Sequence, residues 1–599
     1  MLRSVSPTAS TRQTWILRWA AMVTIAAVIA GVTLFVGCAS HRTPDFDTSG
    51  SDGSVDVPGT DAGSMASFSA GDDGGTGSFG SSGGGGSTTY DDFPSPVLDG
   101  PDGGAAAAPS NAPALFGPTS QGARSGGPCL IEPGANALFP RNWLRPLFRW
   151  SAPSSQNLFE LRLHTANQKS DLVVYTASTS WTMPKAFWDL LRLDSNDVPI
   201  AVTIRGGTLT GGKLSDESLG AQTTIGVAPA DAPGTIVYWT SADGTTLKGF
   251  QVGDETVGST LVTSQVQEVT LGAGQCMGCH TGAPDGEYSI LAESGNNWGD
   301  FVALVDPDAG AVGSAPSFLG AGAKTTLSQG PLGMSAVSKA HWSQGDHAML
   351  ASDDTDIVWV DLESADANSA RGALSRSGAP SGVVAVDPAW THDGKTVVYV
   401  SSAFASAGRP GSALGSQLAV DPGSTADLYR VAYNDRKGGA VAPVAGAADS
   451  QKQEYYPAFS PDDAYLVFNE CDNGLSMYNQ AKAEVYVIPS QGGTATRLHA
   501  NDPAACSGMA SPGVTNSWAK WAPAVTKTAD GRSFYWIVFS SKRLGTTPQL
   551  FVSGMQVDGK GAISTYGALY LWNQPSTEGN HTPAWEYFNV PPPPPVVPK

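Results

Sequence analysis

A short motif that recurs along the second half of the chain constrains the fold more than any other feature. Residues 388–400 read PAWTHDGKTVVYV, and residues 457–468 read PAFSPDDAYLVF. Looser copies lie at residues 341–350 and 521–534, and residues 582–585 form half a copy. In each full copy an aromatic strand end leads into a turn, typically Asp-Gly, and a β-rich strand returns. The motif therefore predicts a repeated β-hairpin.

A second pair of strands follows the best copies. Residues 427–431 (DLYRV) and 483–488 (AEVYVI) have the β-branched and aromatic composition of strands. Each unit is then about four strands, which is the size of a propeller blade. Such a blade cannot bury both faces alone and must stack radially against its neighbours. Residues 230–590 are therefore predicted to form a β-propeller whose first blade opens with strands at 234–239 and 247–252.

These repeats resemble those of TolB-like proteins, whose pattern is close to P-x-[WF]-S-P-D-G followed by an apolar strand. The resemblance covers residues 230–590 and implies about six blades. It also implies a scaffold that binds through its top face and loops, without a particular reaction. Propellers of prolyl oligopeptidase-like peptidases share the motif, but those enzymes need a G-x-S-x-G nucleophile elbow before a helix. No such elbow precedes a helical pattern in this sequence, so a hydrolase is not predicted.

Ahead of the repeats, residues 128–229 form a separate predicted domain. Short alternating segments at 159–163, 171–175 and 200–204 are typical of strands, with turns between them. About 100 residues of this texture suggest a β-sandwich of fibronectin or immunoglobulin type. The fold class expected for the whole chain is therefore all-β, a sandwich followed by a propeller.

The N-terminus predicts export. Basic residues precede an apolar run at 20–36, and Cys38 follows Gly37, which together are the parts of a secretory signal. Residues 34–38 (LFVGC) resemble a bacterial lipobox, which implies a signal peptide over 1–37 and lipid attachment at Cys38. An uncleaved membrane-anchoring helix and a free secreted protein are the alternatives. The lipobox resemblance implies an outer-membrane lipoprotein of the bacterial cell envelope, with the membrane as a partner.

Composition defines two further segments and excludes one class of partner. Residues 38–127 are mainly Gly, Ser, Asp, Ala and Pro with few apolar side chains, which predicts a disordered tether. Residues 591–599 form a Pro-rich tail. The formal net charge of −20 argues against nucleic acid, because phosphate binding needs clustered Lys and Arg.

The sequence CMGCH at residues 276–280 is the attachment motif of c-type haem. Two thioethers, from Cys276 and Cys279, would hold the porphyrin, and His280 would ligate the iron as the proximal ligand. A structural disulfide between the two cysteines is the main alternative. A zinc site lacks a second ligand pair at suitable spacing, and the motif runs into a turn and strand instead of a thioredoxin-like helix. The motif overlaps a blade turn at 284–286, so the haem site is expected within the propeller.

The sixth iron ligand is left open by the sequence. Met334 lies at a separation typical of a distal methionine, although it could equally be an ordinary apolar loop residue. His341 and His347, which flank a blade turn, are alternatives. A five-coordinate iron would favour ligand sensing or peroxide chemistry over electron transfer.

The remaining cysteines are predicted to form one disulfide. Cys471 and Cys506 lie on loops of adjacent predicted blades, and an oxidising compartment favours their pairing. Cys129 is then left over, either as a free thiol or with a partner that the sequence does not identify.

Two functions are compatible with these features. The first is an envelope-anchored monohaem c-type cytochrome-like propeller, used in electron transfer or haem-based sensing, with an unknown redox partner. The second is a non-redox scaffold whose propeller face binds a cell-envelope protein, peptide or glycan, with Cys276 and Cys279 joined as a disulfide. No nucleophile, base and orienting residue converge in the sequence, so no catalytic residues are assigned.

Overall fold

The computed structural model shows an all-β protein with a few short helices. It describes residues 92–100, 107–241, 245–267, 277–293, 299–329, 332–353, 355–403, 425–449, 451–474, 477 and 479–590. The α-helices in these ranges are α1 (Ala112–Phe116), α2 (Lys185–Asp194), α3 (Ala321–Ser328) and α4 (Lys339–Ser343). None of them is long and apolar enough to cross a membrane. The predicted signal peptide, Cys38 and the Pro-rich tail lie outside the described residues.

The N-terminal domain is a β-sandwich, as the alternating pattern predicted. Its strands are β1 (Val97–Leu98), β2 (Cys129–Glu132), β3 (Ala137–Phe139), β4 (Leu147–Ser151), β5 (Leu158–Thr165), β6 (Leu172–Thr176), β7 (Ser180–Thr182), β8 (Ile200–Thr210), β9 (Lys213–Leu219) and β10 (Thr223–Val227). One sheet has the order β1-β6-β5-β8-β10-β3, with β9 paired to β8, and the other has the order β2-β4-β7. The β1–β6 and β10–β3 pairs are parallel, so the larger sheet is mixed. Trp150, Trp181 and Trp188 are buried in the core.

The prediction that residues 38–127 form a disordered tether was wrong for the C-terminal part of that range. Strand β1 pairs with β6, and helix α1 packs the buried ring of Phe116 against the ring of Tyr175, with centroids 5.6 Å apart. The guanidinium of Arg205 forms a buried ion pair with Glu160 at 2.6 Å and donates to the Pro118 carbonyl at 2.9 Å. A few apolar residues are enough to fix this segment, because a sheet edge and a buried arginine provide its partners.

The propeller begins directly after the sandwich. Blade 1 starts with β11 (Thr235–Thr240), β12 (Thr246–Gln251) and β13 (Gly258–Val262), and blade 2 has β14 (Met277–Gly282), β15 (Tyr288–Glu293) and β16 (Gly299–Leu304). Blade 3 has β17 (Gly333–Val337), β18 (Ala348–Ser352), β19 (Ile357–Asp361) and β20 (Arg371–Ala373), and β21 (Ser375–Ser377) follows it. Blade 4 has β22 (Val383–Trp390), β23 (Thr396–Ala403), β24 (Thr425–Ala432) and β26 (Ala442–Pro443), with β25 (Gly438–Ala440) paired to β21. Blade 5 has β27 (Lys452–Phe459), β28 (Tyr465–Asp472), β29 (Glu484–Pro489) and β30 (Thr496–Arg497). Blade 6 has β31 (Ser517–Trp521), β32 (Thr526–Lys527), β33 (Ser533–Ser541), β34 (Gln549–Val557), β35 (Ile563–Thr565) and β36 (Leu569–Tyr570).

The last strand of the described chain closes the ring. Strand β37 (Asn580–Glu586) pairs antiparallel with β11 and becomes the innermost strand of blade 1. The innermost strands then lie side by side in the cyclic order β37-β14-β17-β22-β27-β31, and β31 returns to β37. The described strands thus form six blades around a central channel, the number that the resemblance implied.

A disulfide joins the two domains and corrects the predicted cysteine pairing. Cys506, in the segment between blades 5 and 6, is bonded to Cys129 of β2 and not to Cys471. Cys471 is a buried residue of the propeller core. The prediction failed because it paired cysteines that are near in sequence, whereas the sandwich folds back against the propeller. The same contact brings the rings of Trp143 and Trp585 to 6.4 Å from each other.

We expect Cys129→Ser and Cys506→Ser to destabilise the protein equally, by about 2–5 kcal/mol, because either change opens the same long loop. Cys471→Ser is the control and should leave the bond intact. Peptide mapping without reductant should recover the Cys129–Cys506 cross-link, and urea denaturation measures the free energy of unfolding. Recovery of a Cys471–Cys506 peptide would contradict this connectivity.

We expect Phe116→Ala to lower the free energy of unfolding by about 3–5 kcal/mol, because removal of a fully buried ring leaves a cavity. Leu193→Ala is the control, since that side chain is 57% exposed. Urea denaturation of both variants measures the difference. Equal stability of the two variants would show that the segment before the sandwich does not pack on it.

Candidate functional site

The CxxCH motif lies on the innermost strand of blade 2, at the wall of the central channel. Cys279 and His280 belong to β14, whose pairing with β15 shifts register between Met277 and His280. This position agrees with the expectation that the motif belongs to the propeller and not to a helical domain. Cys276 comes just before β14 and lies outside the described residues.

Two adjoining cavities occupy the channel beside this strand. The smaller one is lined by Cys279, His280, Thr281, Met334, Ser335, Trp518, Lys520, Thr582 and Pro583. The wider one shares His280, Thr281, Ser335 and Lys520 with it. Folding therefore brings side chains from blades 6, 1, 2 and 3 to one place, although they are spread over some 300 positions of sequence.

A recurrent bulge sets the direction of these side chains. Five non-glycine residues on inner strands have a positive φ of 45° to 59°, and each lies directly before the Pro-Ala-aromatic positions of the motif or their equivalents. They are Met334, Asp387, Tyr456, Trp518 and Thr582. A left-handed backbone is unfavourable for such residues, so its repetition shows that blade geometry imposes it. Three of the five, Met334, Trp518 and Thr582, line the smaller cavity.

His280 is the most unusual polar residue of the channel. Both ring nitrogens are buried, and neither has a partner at hydrogen-bond geometry. Burial, together with the nearby Lys520 charge, lowers the pKa of His280 to about 4, against the opposing effect of the Val237 backbone. The imidazole is therefore neutral at physiological pH. A buried polar group without a partner costs about 1–3 kcal/mol, so this ring is suited to a ligand that takes one nitrogen.

The donors around His280 match a c-type haem in chemical type. Cys279 supplies a sulfur on the adjacent position of the same strand, and both Cys279 and Met334 pack against the same core cluster beside the cavity. Two cysteine thiols, a neutral imidazole and a thioether are the protein groups of a monohaem cytochrome c site. The described residues fit this set in chemical type and supply all of it except the Cys276 thiol.

The two alternative histidines lie elsewhere. His341 contacts Asp346 through Nδ1 at 2.7 Å and packs against the ring of Trp390 at 4.8 Å. His347 contacts Glu363 at 2.9 Å. Neither lines a cavity with His280, so Met334 is the sequence-predicted sixth ligand that the fold brings to the site.

Three charged residues of the channel were missed by sequence reasoning. Both carboxylate oxygens of Asp387 are buried without a partner, and burial raises the pKa of Asp387 to about 7. Burial also raises the pKa of Glu586 to about 7, and it lowers the pKa of Lys520. The available clue was the position within the repeat: Lys520 stands where the better copies have alanine, and Asp387 stands directly before the proline.

A metal site made only of protein side chains was also sought among the described residues. Within the ranges that the structure describes, no three His, Cys, Asp or Glu side chains are grouped so that they could hold a metal ion.

Comparisons with solved structures find proteins of low sequence identity and low TM-score. No protein-family model and no curated protein matches the chain. An oligogalacturonate lyase in complex with manganese is 12% identical over 56% of this chain and 75% of its own, at a TM-score of 0.28. The oligogalacturonate lyase of Vibrio parahaemolyticus is 9% identical over 56% of this chain and 86% of its own, with a TM-score of 0.27. An α-L-arabinanase of Cellvibrio cellulosa, complexed with arabinohexaose, is 13% identical over 50% of this chain and 95% of its own, with a TM-score of 0.24.

We expect Asp387→Asn to flatten the pH dependence of stability. Native Asp387 keeps its proton up to about pH 7, whereas the unfolded chain releases it near pH 3.8, so unfolding becomes easier as pH rises between these values. At pH 8 the free energy of unfolding of the variant should exceed that of the wild type by up to about 4 kcal/mol. Urea denaturation from pH 4 to pH 8 measures this gain.

Asp435→Asn is the matched control for this experiment. Asp435 also has a positive φ, of 53°, but its side chain is 87% exposed. Its substitution should leave the pH profile of the wild type unchanged. Parallel profiles for the wild type and Asp387→Asn would show that Asp387 is ionised in the native state.

Proposed function

We propose that this protein is a monohaem c-type cytochrome-like propeller that carries its haem in the central channel. The observation that carries the proposal is the buried imidazole of His280, which lacks a hydrogen-bond partner and directly follows Cys279 on the channel wall. A propeller core has no structural need for such a ring. The equivalent positions of three other blades are proline, namely Pro388, Pro457 and Pro583.

Each residue of the site has a defined task in this proposal. Cys276 and Cys279 would hold the haem through thioether bonds, and neutral His280 would bind the iron. Met334, from the neighbouring blade, would supply a second iron ligand. The bound haem supplies one-electron redox chemistry, whose potential depends on the axial ligands and on burial. The buried Trp518 forms part of the channel wall beside this site.

Electron transfer is the favoured use of such a site. A methionine and a histidine together leave no open position for substrate, which separates this proposal from sensing or peroxide chemistry. A lipid anchor at Cys38 would hold the protein at the cell envelope, within reach of a redox partner. Cys38 lies outside the described residues, so this part of the proposal depends on the lipobox resemblance.

The haem is tested with protein exported by a host that matures c-type cytochromes. We expect a Soret band, a pyridine haemochrome spectrum that survives denaturation, and a haem adduct on the peptide of residues 276–280. His280→Ala should abolish the native spectrum, whereas His347→Ala should preserve it, because His347 contacts Glu363 away from the channel. Met334→Leu should remove the absorption band typical of methionine-ligated ferric haem and lower the midpoint potential.

A non-redox scaffold is the second candidate. It is favoured by the wider cavity, whose lining includes Trp390, Trp521, Trp585 and the half-exposed Tyr587. Aromatic and charged side chains around one opening suit a glycan or peptide. A colourless protein whose Cys276 and Cys279 are joined, with a mass two hydrogens lower, would support this candidate and contradict the haem.

A further inference from the structure

One ring of small side chains keeps the propeller channel wide. The third residue of the bulged motif is alanine in four blades and threonine in a fifth, and all of these line the wider cavity. They are Thr281, Ala336, Ala389, Ala458 and Ala584. In blade 6 the same position is Lys520. Lys520 is therefore the single long, cationic side chain in a ring whose other members are small and uncharged.

The amine of Lys520 is poorly neutralised by the protein. Within the part of the chain that the structure describes, Lys520 has no carboxylate within salt-bridge distance. The acidic groups that influence it, Asp387 and Glu586, act from farther away, and both have pKa values raised by burial. The Lys520 side chain is half-buried in the channel, and a partly desolvated cation without a close counter-ion favours the arrival of an anion.

Lys520 also faces the proposed haem position. It lines the smaller cavity together with Cys279, His280 and Met334, and it lines the wider cavity that opens beyond them. An anion bound to its amine would thus lie in the channel beside the CxxCH motif.

We propose that Lys520 binds a carboxylate or a similar oxyanion in the propeller channel. Two sources have this chemistry: a propionate of the haem, or a small free anion that enters through the wider cavity. The first source rests on the proposed function, whereas the second does not. Ammonium–oxyanion pairing is a charge-assisted hydrogen bond, which is among the strongest that a protein makes.

The test uses Lys520→Ala, because alanine is the residue that four blades already place in this ring. Lys339→Ala is the matched control, since Lys339 also lines the wider cavity but is exposed and lies apart from the smaller one. Lys520→Arg should retain the interaction. Circular dichroism and the thermal midpoint verify folding, and Lys520→Met replaces Lys520→Ala if the latter does not fold.

If the purified protein carries haem, the resonance Raman band of the propionates is compared among the variants. We expect Lys520→Ala to shift this band and to make the midpoint potential more negative, because a cation that stabilises the reduced haem is lost. Lys339→Ala and Lys520→Arg should retain the wild-type band. If the propionate band of Lys520→Ala is unshifted, the haem propionate is not the ligand, and a free anion is tested by titration.

That titration uses succinate and inorganic phosphate, measured by calorimetry on the purified protein with or without haem. Binding that falls at least tenfold in Lys520→Ala, but not in Lys339→Ala, identifies a free anion as the ligand. The same result on colourless protein would refute the haem while supporting the anion site. If Lys520→Ala matches the wild type in both the Raman band and the titration, the proposal is overturned.

Discussion

The pairing of β37 with β11 is the interaction on which the remaining structure depends. It brings Thr235 opposite Glu586 and places a strand from the end of the described chain inside the first blade. The Trp585 indole N–H donates to the Pro233 carbonyl at 2.8 Å, and Thr235 donates its hydroxyl to the Phe588 carbonyl at 2.6 Å. Without this closure the inner strands of blades 6 and 2 would have no common neighbour, and the cavity they line would be open. A site built from four blades exists only when the ring is closed.

The bulge on the inner strands converts this closed ring into a site. The bulge recurs at the same place in five blades, and in three of them it places a side chain beside the smaller cavity, namely Met334, Trp518 and Thr582. The residues at these positions differ between blades, and these differences change the channel while the blade fold is kept. Three blades retain proline after the bulge, while blade 2 has His280 and blade 3 has Ser335. The polar character of the channel therefore arises from substitutions at positions where the fold needs little from the side chain.

Burial explains why the polar residues at these positions differ chemically from the same residues in water. In water, His280, Asp387 and Lys520 would each be ordinary ionisable groups. In the channel their charged forms are disfavoured, since a protein wall of low polarity replaces hydration. Neutral histidine is the form that binds iron. A protonated lysine without a close counter-ion attracts an anion. The sandwich, fixed to the propeller by the Cys129–Cys506 bond, packs on blades 1 and 6 and takes no part in lining either cavity.

The sequence by itself determined the all-β class, the sandwich, the propeller and the blade that carries CxxCH. Those features depend on local patterns: the alternation of apolar residues, the turn chemistry and the repeated Pro-Ala-aromatic motif. Tertiary structure alone decided the partner of Cys129, the folding of residues 107–127 onto the sandwich, and the convergence of Met334 and Lys520 on His280. Each of these joins residues far apart in the chain, and no local pattern encodes which surfaces meet when the ring closes. The sequence specifies which side chains are present, and the closure of six blades brings His280, Met334 and Lys520 together in one channel.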